Sequence, residues 1–157
     1  MRSGEPAAPG LYLHIPFCAR KCAYCDFDSA VYPSAMQPAY LDAVARELAA
    51  RRSEVPGPFA TVYVGGGSPS SLDDTAWAWL WDIVAEATAS GGCLECTVEM
   101  NPSQTTAAKL ARIQGLATRV SLGAQTFVPE LRRALGREPS DPACIARAAQ
   151  RIAGRFR

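Results

Sequence analysis

The sequence predicts an α/β fold, a parallel sheet of about four βα units that makes up part of a (β/α) barrel. Three observations lead there. Short segments with strand character alternate with stretches whose apolar residues recur at helical spacing. Each interval between strands is long enough for the crossover helix that parallel neighbours require. The second strand also runs into Gly65-Gly66-Gly67 and the third is stopped by Asn101-Pro102, so turns fall at the strand ends where a barrel carries its site.

The first strand is expected over residues 11–16, where Leu11, Leu13 and Ile15 share one face and Tyr12 and His14 the other. A cysteine-rich loop follows. Residues 39–51 place Leu41, Val44, Ala45 and Leu48 on one helical face, and Pro38 suits the first turn, where its missing N–H has no helical partner to lose. The second strand is expected over residues 60–64. Asp73 and Asp74 then start a helix, since carboxylates favour its positive end. Trp77, Leu80, Trp81, Val84 and Ala87 supply its apolar face. Trp77, Trp79 and Trp81 do not form one stacking platform, because a spacing of two sends them to different sides of the helix. A third strand over 95–100, a helix over 109–113 stopped by Gly115, and a fourth strand over 119–123 come next. Two short helices, 129–135 and 141–152, close the chain.

Four such units do not close a barrel, and a fourth strand left as an apolar edge invites aggregation. The expectation is therefore a flexible segment over 1–10 followed by the amino-terminal part of a core domain over 11–157, with further strands and a carboxyl-terminal domain missing.

Composition narrows the function. The chain has 157 residues, 48% hydrophobic and 20% charged, which is ordinary for one folded core. A net charge of +1 without a basic tract gives no footing for nucleic acid. Asp, Glu, Arg, Gly or Pro interrupts every apolar run, so no transmembrane segment is expected. The opening MRSGEPAAPG lacks the apolar stretch of a secretory signal, which leaves the cytoplasm as the default location. In that compartment the six cysteines are not a disulfide framework.

Cys18, Cys22 and Cys25 form C-x3-C-x2-C directly after the first strand. A four-iron cluster usually takes four thiolates, so three in one loop leave one iron open, and an open position is where chemistry occurs. Lys21, inside the loop, is placed to offset the negative charge of cluster and thiolates. The alternative from spacing alone is a zinc knuckle using the same cysteines and His14, the only histidine. The plainer role for His14 is a hydrogen-bonded core residue. Cys93, Cys96 and Cys144 are read as structural thiols, the first two lying at the entry to the third strand, away from the glycine run.

YLHIPFCARKCAYCDF resembles the signature of the oxygen-independent coproporphyrinogen III oxidase family of radical S-adenosylmethionine (SAM) proteins, and TVYVGGGSPSSL, VEMNPS and RVSLGAQTFVPELRRALGRE extend the likeness to about residue 151. The resemblance implies a partial radical SAM barrel with a [4Fe–4S] cluster on Cys18, Cys22 and Cys25. It implies SAM contacts from Gly66, Gly67 and Ser68, a ribose role for Glu99, further contacts from Gln125 and Arg137, and ligand-side positions for Tyr12 and Tyr24. Simpler roles stand beside these: a tight turn for the glycines, backbone capping for Glu99, and aromatic packing around the cluster for the tyrosines. Asn101, two residues after Glu99, is expected to shape the turn. In such proteins the reduced cluster cleaves SAM to methionine and a 5′-deoxyadenosyl radical, with electrons from a donor such as flavodoxin or ferredoxin.

Within the family the sequence departs from the oxidases at Phe27, where they carry a further cysteine. This favours the haem chaperone branch, whose members bind haem. The alternatives are an oxidase that decarboxylates coproporphyrinogen and a radical SAM methyltransferase, so haem or a porphyrinogen is the expected partner of the full-length parent. Relatives commonly place a histidine two residues after the position of Arg137, where this chain has Pro139. That departure, with the missing strands, leaves open whether the chain itself turns over a substrate.

Overall fold

A computed structural model describes residues 8–55, 58–137 and 141–156. Four strands, β1 (Gly10–Ile15), β2 (Thr61–Gly66), β3 (Glu95–Met100) and β4 (Arg119–Leu122), pair in parallel in the order β1-β2-β3-β4. Helices α1 (Gln37–Arg51), α2 (Asp74–Thr88) and α3 (Ala107–Ile113) are the crossovers, and α4 (Pro129–Ala134) and α5 (Ala143–Ile152) follow β4. This is the partial α/β barrel that the sequence predicts.

Strands laid down in sequential order by crossovers of one hand send every helix to the same side of the sheet. That side holds the core. Leu13, Ile15, Val62, Val64, Val98 and Met100 point from the strands into Leu41, Trp77, Leu80, Trp81, Val84, Leu110 and Ile113, and none of these is more than 5% exposed. Trp77 and Trp81 meet with ring centroids 5.7 Å apart, while Trp79 sits half-buried at the margin. The other face carries Tyr12, His14, Tyr63 and Glu99, a polar and aromatic set unlike the core.

Element boundaries shift for local reasons. β2 runs past residue 64 through Gly66, because Gly65 and Gly66 still pair with His14 and Ile15. The helix expected from 109 starts at Ala107, since the Thr106 hydroxyl accepts from the Lys109 N–H and caps it. Asp73 does the same for α2 by accepting from the Ala76 N–H. Gly10, inside the segment expected to be flexible, belongs to β1, whereas residues 1–7 of that segment lie outside the described residues, as does Pro139.

One buried cation organises the turn after β2. Lys109 is 7% exposed, and its Nζ donates to the carbonyls of Ser70 and Leu72, each at 2.6 Å. Its backbone carbonyl accepts from Trp77 Nε1 at 3.2 Å. Burial pushes the ammonium below the usual lysine range, opposed by Asp74 and Asp73. Replacing Lys109 with Met keeps the stem and removes the donors, leaving two enclosed carbonyls without their partner. The expected outcome in urea unfolding is a loss of about 2–4 kcal/mol. A change within about 0.5 kcal/mol, the range of an ordinary surface substitution, would mean that the lysine adds nothing net.

Candidate functional site

The loop after β1 is closed at its base and pinned at its middle. Cys18 N–H donates to the Ala30 carbonyl at 2.9 Å and Ala30 N–H to the Pro16 carbonyl at 3.0 Å, so both ends leave from one point. Inside, Lys21 Nζ donates to the Phe27 carbonyl at 2.7 Å and to the carbonyl and hydroxyl of Ser29 at 3.0 Å. Further along, Ala23 N–H donates to the Leu135 carbonyl at 3.2 Å, which ties the loop to the end of α4. Lys21 thus closes the loop on itself besides carrying charge, a role its position in the sequence did not announce.

All three cysteines of the motif line one cleft of about 290 Å³ at the carboxyl ends of the strands. Tyr24, Gly66, Gly67, Ser68, Glu99, Asn101, Gln125 and Arg137 line the same cleft. Each strand contributes through the loop that follows it, as in barrels whose chemistry sits at that end.

Tyr12 is the exception. It is 55% exposed and lies outside the cleft lining, because it stands three residues before the end of β1, roughly 10 Å of strand. There it stacks on Tyr63 with centroids 5.9 Å apart and shares a hydrogen bond with His14 Nδ1.

The glycines are required by close contact with the cysteine loop and with β1. A Cβ on Gly67 would fall 2.8 Å from the Phe17 carbonyl oxygen and 2.9 Å from Cys18 Sγ. Gly66 has φ +113°, and a Cβ there would meet the His14 ring at 2.7 Å. Their amides are already engaged: Gly67 N–H donates to Ile15 O and Ser68 N–H to Phe17 O, both at 2.8 Å, and Gly66 N–H donates to Glu99. Anything bound against this strip meets carbonyls and side chains instead of free N–H groups. Ser68 Oγ lies 3.2 Å from Gln104 Oε1, to which it donates, and 3.2 Å from the Ser70 hydroxyl.

Glu99 holds two donors, Tyr63 OH on Oε1 at 2.7 Å and Gly66 N–H on Oε2 at 3.3 Å. Asn101 shapes the turn as expected: its Oδ1 accepts from Ser103 N–H at 3.2 Å, and its own N–H donates to Ser70 Oγ at 2.8 Å. Arg137 donates to the Gly123 carbonyl and, from Nη1, to Cys22 Sγ at 3.4 Å. Gln125 is exposed with φ +59°, a left-handed conformation that a non-glycine residue adopts at a cost. The buried Arg132 holds it there, donating to the carbonyls on either side, Ala124 at 3.0 Å and Thr126 at 3.2 Å. Neither Tyr63 nor Arg132 was legible as a site residue from sequence, since each acts through a partner fixed only by the fold.

The donor set fits an iron–sulfur cluster. Burial pushes the Cys18 thiol up, and the nearby Cys25 and Cys22 push it the same way against the Ser29 hydroxyl and Lys21. Three cysteine sulfurs lining one cleft are the ligands such a cluster takes, and a cation held there would reverse the sign of that interaction for Cys18. A zinc knuckle with His14 does not fit. Both its ring nitrogens are taken, Nε2 by the Asp28 carbonyl at 2.7 Å and Nδ1 by Tyr12. Cys93 and Cys96 lie away from the cleft lining, and burial, then Cys93, pushes the Cys96 thiol up to about 12.

A family model, the radical SAM superfamily, matches residues 12–155. The protein named heme chaperone HemW from Mycobacterium tuberculosis is 36% identical over 158 residues, covering 98% of this chain and 40% of that relative. The oxygen-independent coproporphyrinogen III oxidase of Cereibacter sphaeroides is 37% identical over 134 residues, covering 83% of this chain and 30% of the relative. A solved structure of coproporphyrinogen III oxidase (HemN) from Escherichia coli superposes with a TM-score of 0.78 at 25% identity, over 92% of this chain and 34% of the other. The chain therefore spans 40% or less of the length of these relatives. Among the described residues no helix is long and apolar enough to cross a membrane.

The Tyr63–Glu99 bond has a signature that needs no ligand. Burial, then the hydrogen bond to Glu99 and its charge, push the Tyr63 phenol from 10.0 to about 12. The folded chain therefore keeps this proton where the unfolded chain loses it. The bond's contribution to stability is present below pH 10 and is lost as pH rises through about 12. An ultraviolet difference titration between wild type and Tyr63→Phe should show one phenol ionising in that window. A difference spectrum that completes near pH 10 would mean that the bond is not kept in solution.

Proposed function

The chain belongs to the radical SAM superfamily, and we propose that it binds a [4Fe–4S] cluster and SAM as a haem chaperone-like protein of porphyrin and haem metabolism. One observation carries the reading: the cysteine motif, the glycine strip, Glu99, Gln125 and Arg137 line a single cleft at the carboxyl ends of four parallel strands.

Cys18, Cys22 and Cys25 hold the cluster, and Tyr24 and Phe27 give it an aromatic wall. The carbonyls of the glycine strip are acceptors for an ammonium, and the Arg137 fork is a donor for a carboxylate. Glu99 accepts from ribose hydroxyls, and Gln125, set out from the β4 loop, offers its amide. When bound and reduced, the cluster supplies the one-electron cleavage of SAM's carbon–sulfur bond, which the protein residues only orient. The electron donor is a reduced carrier such as flavodoxin or ferredoxin, and the partner of the longer protein is haem or a porphyrinogen.

A second reading, oxidative decarboxylation of coproporphyrinogen, is supported by the likeness to the two oxidases. Phe27 favours the chaperone over it, because the ring lines the cleft where the oxidases carry a cysteine and offers neither a ligand nor a proton.

Anaerobic iron–sulfide reconstitution of the chain, followed by EPR of the reduced protein with and without SAM, tests the reading. The expected outcome is about four irons per chain and a signal that SAM shifts. Both should be lost when Cys18, Cys22 or Cys25 is changed to Ala and kept in Cys93→Ala. Stoichiometric zinc in place of iron, or a cluster unaffected by those three changes, would overturn the assignment.

A further inference from the structure

We infer that Tyr63 is a positioning residue for Glu99, fixing the carboxylate so that it meets both hydroxyls of a ribose at once; the inference rests on the reading above that Glu99 takes the sugar of SAM. Tyr63 and Thr97 are register partners on β2 and β3, so Glu99 lies two residues beyond, towards the cleft, on the same face of the sheet. Its two oxygens are held by two donors of β2, one a side chain and one a backbone amide. Tyr63 OH donates to Oε1 at 2.7 Å, and Gly66 N–H donates to Oε2 at 3.3 Å.

The consequence is geometric. A carboxylate offers about four lone-pair positions, two on each oxygen. With one donor on each oxygen the plane of the group is fixed, and one acceptor position per oxygen is left. Two acceptors in one fixed plane suit a vicinal diol. Without Tyr63 only Gly66 holds the group, and Oε1 is free to swing.

The phenol is itself held in place. Its ring stacks on Tyr12 at 27° with centroids 5.9 Å apart. Gly65 admits it, since a Cβ there would stand 2.7 Å from Tyr63 Cε1 and 3.0 Å from Glu99 Oε2. The first glycine of the strip thus makes room for the tyrosine and the carboxylate together, a role separate from contact with any ligand. It also gives Tyr12 a place in the site at one remove, as the stacking partner of Tyr63.

The test uses the reconstituted chain and two ligands, S-adenosylhomocysteine, which has the ribose, and methionine, which lacks it. Dissociation constants are measured calorimetrically for wild type, Tyr63→Phe, Glu99→Ala and the double variant. Phe keeps the ring and its stacking, and circular dichroism checks the fold. Tyr63→Phe should weaken S-adenosylhomocysteine about tenfold, the scale of one hydrogen bond to a charged group, and change methionine by less than about twofold. It should add nothing once Glu99 is Ala. Equal weakening of both ligands, no weakening of either, or a full effect in the Glu99→Ala background would overturn the inference. If Glu99→Ala itself leaves S-adenosylhomocysteine binding unchanged, or wild type binds neither ligand, the ribose reading falls first and takes this one with it.

Discussion

The close approach of residues 65–67 to the end of β1 is the constraint on which the rest of the site depends. Gly67 N–H reaches Ile15 O and Ser68 N–H reaches Phe17 O, both at 2.8 Å, so the parallel pairing of β1 and β2 continues past the sheet into the loops. That continuation brings Cys18 beside the glycine strip, where a single methyl on Gly67 would collide with its sulfur. The same strip gives Gly66 N–H to Glu99 and so draws β3 into the arrangement. Three strand ends are thus locked by the backbone amides of residues 66–68, two on carbonyls at the end of β1 and one on the Glu99 carboxylate, and any side chain at 66 or 67 would open them.

Loops at the carboxyl ends of strands expose carbonyls, and this chain answers them with cations. Lys21 gathers the Phe27 and Ser29 carbonyls of the first loop. Lys109 does so for Ser70 and Leu72 in the second, and Arg132 for Ala124 and Thr126 in the fourth. Lys109 and Arg132 are buried, so each loses hydration, and hydrogen bonds to carbonyls must offset that loss. In the third, Arg151 donates to the Thr105 carbonyl at 2.9 Å, and Asn101 and Ser70 add neutral bonds. Apolar packing cannot fix the direction of a loop carbonyl, whereas a buried donor with several N–H groups can. This explains why Lys109 and Arg132 are buried among loop carbonyls at the end of the sheet where the cleft lies.

What was legible in the sequence is what local spacing decides. The cysteine motif, the glycine strip and the alternation of Leu13, Ile15 and Tyr12 each depend on neighbours a few residues away, and each stands where expected. Tyr12 was placed by motif at the ligand, but its distance from the cleft is set by where β1 ends, which a motif does not measure. Lys109 looked like a helix residue because its carbonyl partners are 37 and 39 positions away. Tyr63 looked like one more strand residue because Glu99 is 36 positions away. Arg132 had partners only eight and six residues back, yet nothing in the sequence marks Gln125 as left-handed, so its purpose was hidden too.

Phe27 shows how such a loop separates fold from chemistry. The loop uses only the backbone of this residue, with the carbonyl accepting from Lys21 and from the Ser29 hydroxyl, while the ring is 64% exposed at the cleft. A cysteine here would leave those backbone bonds intact, so the closure of the loop does not depend on this side chain. What such an exchange alters is what the side chain presents: a thiol offers a ligand and a proton, and a phenyl ring offers an apolar surface. In a cleft already holding three thiols, the ring withholds a fourth sulfur from the loop without disturbing the three. The same position is thus free to change what the cleft presents while the backbone of the loop stays as it is.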